Sequence, residues 1–182
     1  TSNVDLAMSS VYAENRERID ADADRAFLVR DAGSHGGGAV ERPVEGGPDA
    51  GTPPVHPEFE KRGRREIPVE SGVLVESADL PPAGERVWLK GFGCVRHTGE
   101  AFEYADEPLS VTREEAVDIV HWVPAEHNVP VCLRTPEADL SGYAEPGVDT
   151  AEPGDLRQFE RVGFARVDSP NTDPVVAYFA HR

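Results

Sequence analysis

A short basic cluster, Lys61-Arg62-Gly63-Arg64-Arg65, is the densest positive charge in a 182-residue chain whose formal net charge is −16. Arginine side chains donate hydrogen bonds in a planar fork that matches phosphate oxygens and the edge of guanine. Arg62, Arg64 and Arg65 are therefore candidates for contacts with a nucleic acid, on charge alone. A simpler interpretation is a solvated loop balanced by neighbouring carboxylates: Glu58, Glu60 and Glu66.

Residues that usually catalyse reactions or bind metals form no recognisable pattern in this sequence. The spacing of His121 and His127 fits no common ligand set, and neither a CxxC nor an HExxH motif occurs. Cys94 and Cys132 are too few and too isolated for a disulfide framework, which favours reduced thiols. No serine lies in a nucleophile-elbow motif, and no phosphate-binding loop follows a strand. We therefore predict no catalytic residue, no metal site and no cofactor in this chain.

Four aromatic side chains offer a second way to bind RNA, because unpaired bases stack on aromatic rings. They lie at strand spacing towards the end of the chain: Phe159, Phe164, Tyr178 and Phe179. Aromatic residues at this spacing more often fill a hydrophobic core. We therefore expect core positions for most of the four.

The charge composition indicates the solution in which the protein works. Acidic residues outnumber basic ones by 34 to 18, and Lys61 and Lys90 are the only lysines. Carboxylates retain hydration in concentrated salt, where their mutual repulsion is screened within about 3 Å at 1 M. We interpret this composition as that of a halophilic, cytoplasmic protein. No apolar run approaches the roughly 20 residues that span a membrane, and we expect a chain that begins with Thr1 to be processed or to start inside a longer protein.

The elements that must position these residues include little helix. Apolar residues recur at helical spacing over residues 7–19, and the aspartate-rich run that follows ends the pattern. A second helical turn is predicted over residues 112–116, with Thr112 as its N-cap and a carboxylate three residues later.

The remaining pattern is that of short strands separated by turns. Residues 25–30 form the first, and Asp31 to Pro54 is a Gly- and Pro-rich stretch, with Gly36-Gly37-Gly38 as a breaker and an edge strand over residues 39–44 because of Pro43. Further strands are predicted at 67–69, 73–76, 87–89, 93–97, 101–104, 119–123, 131–134, 158–159, 164–167 and 175–180. Many short strands at this spacing predict an all-β sandwich or barrel. No internal repeat is strong enough to recognise.

Several short motifs, taken in order, resemble one known family. They are Tyr12-Ala13-Glu14-Asn15-Arg16, residues 25–31, His56-Pro57-Glu58, Arg62-Gly63, Ile67-Pro68-Val69, and residues 119–124, 128–131, 142–146, 158–168 and 177–182. None is decisive alone. Their order resembles the C-terminal anticodon-binding region of class I glutamyl- and glutaminyl-tRNA synthetases, and the archaeal glutamyl type most of all, over nearly the whole chain.

The resemblance implies an all-β fold of two antiparallel β-barrels of the ribosomal L25 type after a short helical segment. Residues 1–24 would be the helical segment that joins the missing catalytic part, and residues 25–182 the anticodon-binding region. Both chain ends would build the proximal barrel and the middle of the chain the distal one. Two departures are visible. Asp31-Ala32-Gly33 replaces the usual Asp-Pro-Val, and the short run from Ala78 to Gly84 favours the glutamyl over the glutaminyl branch.

The resemblance also implies a set of site residues. Arg25, Lys90, Gln158 and Arg161 match by position residues that contact anticodon nucleotides in the related glutaminyl enzyme. Arginine and lysine donate to base carbonyls and phosphates, and glutamine both donates and accepts on a base edge. For Arg161, an ion pair with Glu160 or another carboxylate is the alternative.

The implied function is recognition of a tRNA anticodon for an enzyme that attaches glutamate to tRNA with ATP. The expected partners are tRNA(Glu), with tRNA(Gln) left open, and the catalytic domain of the same polypeptide. The HIGH-type and KMSKS-type motifs are absent, so ATP with Mg²⁺ would bind outside this chain, which alone would be inactive. Two alternatives remain: a ribosomal 5S-rRNA-binding barrel of the L25 type, and a non-catalytic interaction domain. Anticodon binding requires the four site residues on one concave face.

Overall fold

The computed structural model of the protein describes residues 2–31 and 38–181, without the side chains of residues 2–10 and Tyr12. Several residues on which sequence expectations depended therefore lie outside the described residues or have no described side chain: Tyr12, Ala32, Gly33, Gly36, Gly37 and residues 7–10 of the predicted first helix. The same holds for Arg182 at the end of the last predicted strand. None of the described helices is long and apolar enough to cross a membrane.

The chain begins with helix α1 (Ser2–Asp22) and continues almost entirely as short strands. The strands of its first half are β1 (Asp24–Ala26), β2 (Leu28–Arg30), β3 (Ala39–Glu45), β4 (Ala50–Gly51), β5 (Ile67–Pro68), β6 (Gly72–Glu76), β7 (Arg86–Leu89) and β8 (Gly93–His97). Those of its second half are β9 (Phe102–Ala105), β10 (Ile119–Val120), β11 (Val123–Pro124), β12 (Val129–Arg134), β13 (Leu140–Ala144), β14 (Leu156–Phe159), β15 (Gly163–Ser169) and β16 (Val175–His181). Helix α2 (Leu109–Glu114) and two 3₁₀ turns, Glu60–Arg62 and Ser77–Asp79, complete the set. The predicted all-β fold with an N-terminal helix is confirmed.

Two seven-stranded sheets contain nearly all of these strands. The first, here called the terminal sheet, has the order β1-β14-β15-β16-β12-β13-β2 and combines strands from both ends of the chain. The second, the central sheet, has the order β10-β7-β8-β9-β3-β6-β11. A small two-stranded sheet, β4-β5, accompanies them.

Each seven-stranded sheet curls towards a barrel because one stretch of chain, here called its closing stretch, supplies both of its edge strands. In the terminal sheet β1 and β2 are separated by Phe27 alone, yet β1 pairs with β14 and β2 with β13. In the central sheet β10 and β11 are separated by His121 and Trp122, and they pair with β7 and β6. The sequence predicted each stretch as one continuous strand. Each is broken instead, because its two halves join opposite edges of the sheet.

The two sheets share one topology, which the sequence did not reveal as a repeat. In the order given above, both have pairings that are parallel, antiparallel, antiparallel, parallel, antiparallel and antiparallel. Along the chain, the closing stretch precedes the other strands of the terminal sheet and follows the other strands of the central sheet. The two sheets are therefore related by a circular permutation of their strands.

Each sheet has its own hydrophobic core, and the first closing stretch contributes to both. Ala26 and Leu28 belong to the terminal core, whereas Phe27 and Val29, which alternate with them, belong to the central core. The Phe27 ring contacts Trp122, with ring centroids 6.2 Å apart, and both side chains are fully buried. The two cores therefore meet where the two closing stretches are broken.

Several local predictions are wrong, for identifiable reasons. Strand β3 is not an edge strand, because it pairs with β6 along Ala39 to Pro43 and with β9 at Val44 and Glu45. The first helix extends beyond residues 7–19 at both ends. Helix α2 begins after Pro108, so Thr112 lies inside it and is not the N-cap. Its buried hydroxyl has no hydrogen-bond partner among the residues that the structure describes. Strand β13 was missed in the strand prediction, because Ser141 and Gly142 weaken its strand propensity.

Candidate nucleic-acid interface

The hairpin of β14 and β15 carries two of the predicted site residues, Gln158 near the end of β14 and Arg161 in the turn. Val162 donates its N–H to the Phe159 carbonyl at 2.9 Å, and Arg161 adopts a left-handed backbone with φ of 69°. Gly163 closes the turn at a φ of 145°, and a Cβ there would lie 2.6 Å from Cε2 of Phe179. Only glycine allows that ring to approach the backbone at this point.

Arg25 and Gln158 face each other directly across the parallel pair β1-β14. The next residues, Ala26 and Phe159, are in the terminal core, so the Arg25 and Gln158 side chains lie on the opposite, outer face. Arg25 is 8% exposed and forms an ion pair with Asp20 at 2.8 Å. The Gln158 amide is half-buried and has no hydrogen-bond partner within the part of the chain that the structure describes. Its donor and acceptor are thus available to a ligand.

Lys90 lies on the corresponding turn of the central sheet, between β7 and β8, and contacts the β14-β15 turn. Its Nζ is 2.8 Å from Oε1 of Glu160, and His121 Nε2 is 3.5 Å from the other carboxylate oxygen. Burial acts to raise the pKa of Glu160, but the His121 imidazole and the Lys90 ammonium beside its carboxylate lower it to about 2. Glu160 is therefore a carboxylate that joins the two sheets through Lys90.

Arg161 reaches across to the central sheet in the same way. Its guanidinium lies 2.6 Å from Glu76 at the end of β6 and 2.8 Å from Asp79. Hydrogen bonding to Asp79 raises the pKa of Arg161 above its usual value. Glu76, which is almost fully buried, also accepts a 2.5 Å hydrogen bond from Arg30. The ion-pair alternative for Arg161 is thus present, with Asp79 and Glu76 as partners in place of Glu160.

The basic cluster is neutralised by distant carboxylates, and the expectation that Glu58, Glu60 and Glu66 balance it is wrong for two of its arginines. Arg62 lies 3.2 Å from Asp24 and stacks on the Phe59 ring at 4.5 Å. Arg65 lies 2.6 Å from Glu145 and over the Phe27 ring at 4.9 Å. Burial raises the pKa of Glu145, against the opposing charge of Arg65. Arg64 is exposed, and among the described residues its side chain donates to the Thr52 carbonyl alone, at 2.9 Å.

The structure brings most of the predicted residues around the first closing stretch. Arg25 and Gln158 are register partners, Lys90 contacts the residue between Gln158 and Arg161, and Glu160 donates its N–H to the Ala26 carbonyl at 3.0 Å. From the basic cluster, Arg62 contacts β1 and Arg65 contacts Phe27, whereas Arg64 contacts neither. Their binding of nucleotides stays a prediction.

The four aromatic candidates divide according to burial. Phe159 and Phe164 are in the protein interior, with 0% and 1% of their surface exposed, as expected for core residues. Tyr178 is exposed beneath the Arg166 guanidinium, and Phe179 is only partly buried at the margin of the terminal core. Stacking on a base is therefore possible for the last two alone.

Two carboxylates hold this region together. Sequence reasoning named Glu160 only as a partner of Arg161, and it missed Glu76. Glu160 was the easier one to find, because it lies between two predicted site residues. Glu76 had no local signal, since its partners Arg30 and Arg161 are distant in sequence. The structure also gathers Glu70, Glu126 and His127 on the surface, with candidate ligand atoms within 4.8 Å of one another, and exposed acidic groups of this kind need no ion.

Comparisons with known proteins match both halves of the chain to one family. Two family models described as "tRNA synthetases class I (E and Q), anti-codon binding domain" match residues 23–112 and 119–168. A glutamate–tRNA ligase of Haloarcula marismortui is 58% identical over 184 residues, which cover 100% of this chain and 31% of that protein. Glutamate–tRNA ligases of Halobacterium salinarum and Methanosarcina barkeri are 55% and 36% identical, again over 100% of this chain and over 32% and 31% of their own lengths. The chain thus spans about a third of the length of these curated relatives.

Proposed function

The chain belongs to the anticodon-binding domain family of class I glutamyl- and glutaminyl-tRNA synthetases, and we propose that it recognises the anticodon of tRNA(Glu) for a longer glutamate–tRNA ligase. The domain itself makes or breaks no bond. It would hold the anticodon so that the acceptor end of the tRNA reaches a catalytic domain of the same polypeptide. We propose that ATP, with Mg²⁺, and glutamate bind in that other part, in the cytoplasm of a halophilic cell. We propose tRNA(Gln) as a second candidate ligand of the same surface.

The single observation that carries the proposal is the amide of Gln158. It faces outward beside Arg25 and two residues before Glu160, which joins the two sheets, and no described group occupies its donor or acceptor. An amide can satisfy both a donor and an acceptor on the edge of a pyrimidine. Around it, Lys90 and Arg161 are about one third exposed, so both remain within reach of a ligand.

The ion pairs around Gln158 explain how an acidic domain can bind RNA. Lys90 and Arg161 each have a carboxylate partner from the other sheet, so a phosphate or base must compete with that carboxylate. Competition of this kind favours a ligand that fits the guanidinium fork over a diffuse polyanion. At molar salt counterion release contributes little, and we expect a flat dependence of affinity on salt.

The two alternatives lack comparable support. A 5S-rRNA-binding barrel of the L25 type would not account for two family models that together match 140 residues on both sides of the chain centre. A plain interaction domain would not account for the outward-facing Gln158 amide beside Arg25. We therefore retain anticodon recognition alone.

The test is binding of the protein to tRNA(Glu) in molar KCl, with an otherwise identical tRNA that carries a swapped anticodon as control. We expect tighter binding of tRNA(Glu), and Gln158→Ala should reduce that preference by about 1–3 kcal/mol, by analogy with base recognition in DNA. Arg134→Ala, which removes an exposed arginine from the same sheet, should weaken both tRNAs equally or not at all. Equal affinity of the unmodified protein for the two tRNAs would exclude anticodon recognition.

A further inference from the structure

Three surface cavities differ in size and in the charge of their walls. One of about 590 Å³ is lined by Asp79, Glu85, Glu115 and Asp118 against Arg86 alone, which disfavours an anionic ligand. A second, of about 260 Å³, lies below the roughly 300 Å³ at which small-molecule sites begin. The third, of about 780 Å³, is large enough for a nucleotide.

The third cavity combines cationic and apolar walls at one end of the terminal sheet. Its arginines are Arg30 and Arg161, which share the buried carboxylate of Glu76, and Arg161 also pairs with Asp79 at 2.8 Å. Glu137 and His181 line the cavity as well. Its apolar wall is formed by Leu133, Leu140, Val162 and Phe179.

The Phe179 ring is fixed in this wall by the hairpin turn. Gly163 leaves the space that the ring occupies, as described above, and Phe179 is opposite Ala165 in the β15-β16 register. Tyr178, the preceding residue, points to the other face, where it lies under Arg166. The ring can thus present a stacking surface to the cavity without moving the strand.

We propose that this cavity binds one unstacked nucleotide of the bound RNA, with its base against Phe179 and its phosphate or base carbonyl oxygens at Arg30 and Arg161. The assignment rests on the proposed function, and it adds Arg30, Leu140 and Phe179 to the residues that contact RNA. Stacking on an aromatic ring and donation from two guanidinium groups are the interactions that single-stranded RNA sites commonly combine.

Two variants of neighbouring aromatic residues provide the first test, with uridine monophosphate as the probe in molar KCl. Phe179→Leu retains apolar volume beside the core but removes the stacking surface, and Tyr178→Leu is the matched control on the opposite face. We expect uridine monophosphate to shift the NMR signals of Val162 and Gly163, with affinity about tenfold lower in Phe179→Leu and unchanged in Tyr178→Leu. No shift at these residues, or equal affinity in the two variants, would overturn the assignment.

A second experiment tests the cavity with RNA in place of a free nucleotide. It also distinguishes failure of the cavity assignment from failure of the proposed function. tRNA(Glu) with 4-thiouridine at one anticodon-loop position at a time would be irradiated on the protein, and the crosslinked peptide identified. A crosslink to residues 175–181 supports the assignment, whereas crosslinks to other peptides alone would contradict it while leaving anticodon recognition intact. If tRNA(Glu) and the swapped tRNA bind equally, the proposed function fails, and the mononucleotide measurement still decides whether the cavity is a nucleotide site.

Discussion

The terminal and central sheets place different residues at equivalent positions of one topology. Gln158 on β14 corresponds to Trp88 on β7, and their partners on the closing strands are Arg25 and Ile119. One sheet therefore presents a polar pair on its outer face where the other presents an apolar pair, in which Ile119 is half exposed. The fold is the same, and the capacity to donate to a nucleotide depends on a few substitutions.

The equivalent turns are complementary as well as different. Lys90 and Glu160 occupy the same position in their hairpins and form an ion pair with each other. Phe27 and His121, the first residues of the two breaks, also meet, edge to face at 5.3 Å between ring centroids. The sheets are therefore joined as the halves of a pseudo-symmetric pair, in which each turn supplies the partner of the other.

Phe27→Ala should have the largest effect, because it tests whether the two sheets are independent units. The ring belongs to the terminal sheet by sequence but packs in the central core, so its loss should lower the free energy of unfolding by about 3–5 kcal/mol. Guanidinium denaturation in molar KCl, followed by fluorescence and by circular dichroism, should show one common transition at lower denaturant. Two separate transitions would mean that the sheets unfold independently.

Glu76→Gln tests the carboxylate that the central sheet supplies to two arginines of the terminal sheet. The variant leaves Arg30 and Arg161 without a charged partner at Glu76, and partial access to water limits the loss of stability to about 2–3 kcal/mol. Thermal unfolding would measure it. A loss as small as that of Glu103→Gln, an exposed carboxylate, would show that Glu76 does not join the sheets.

The Lys90–Glu160 pair should make part of the stability depend on acid. The pKa of Glu160 is lowered from 4.5 to about 2 on folding, so its contribution is present above pH 4.5 and is lost as the pH falls towards 2. At neutral pH, Glu160→Gln should cost about 2 kcal/mol, and the difference from the unmodified protein should shrink between pH 4.5 and 2. Unfolding measured across this range checks the sign. A difference that is constant with pH would exclude a charged pair.

The smallest effect on stability is expected for Arg161→Gly, which makes the terminal turn resemble the central one. Gly91 occupies the equivalent position with a φ of 75°, close to the 69° of Arg161. Glycine removes the cost of holding a residue with a Cβ in the left-handed backbone conformation, but it also removes the contacts with Asp79 and Glu76. Stability should therefore change by less than about 1 kcal/mol. Preference for tRNA(Glu) over the swapped tRNA should nevertheless fall. Unchanged preference would assign Arg161 a structural role only.

Strand positions were predictable because alternation is local, and β8 was predicted to the residue at 93–97. The closing stretches were not, since nothing within residues 25–30 shows that Phe27 separates two opposite edges of a sheet. The partners in the ion pairs could not be predicted for the same reason. Arg65 has four glutamates within seven residues, yet its partner is Glu145, which only the fold brings near. The resemblance located Gln158 and Arg25, and the register between them required the structure.

The closing stretches have a consequence for solubility. In concentrated salt, repulsion between acidic surfaces extends only about 3 Å at 1 M, so charge cannot keep molecules apart at a distance. Long unpaired strand edges would then be free to pair between molecules. Here the edge strands are three residues long in the terminal sheet and two in the central sheet, and each continues directly into the opposite edge. Resistance to aggregation is therefore built into backbone connectivity, in a solvent where surface charge cannot provide it.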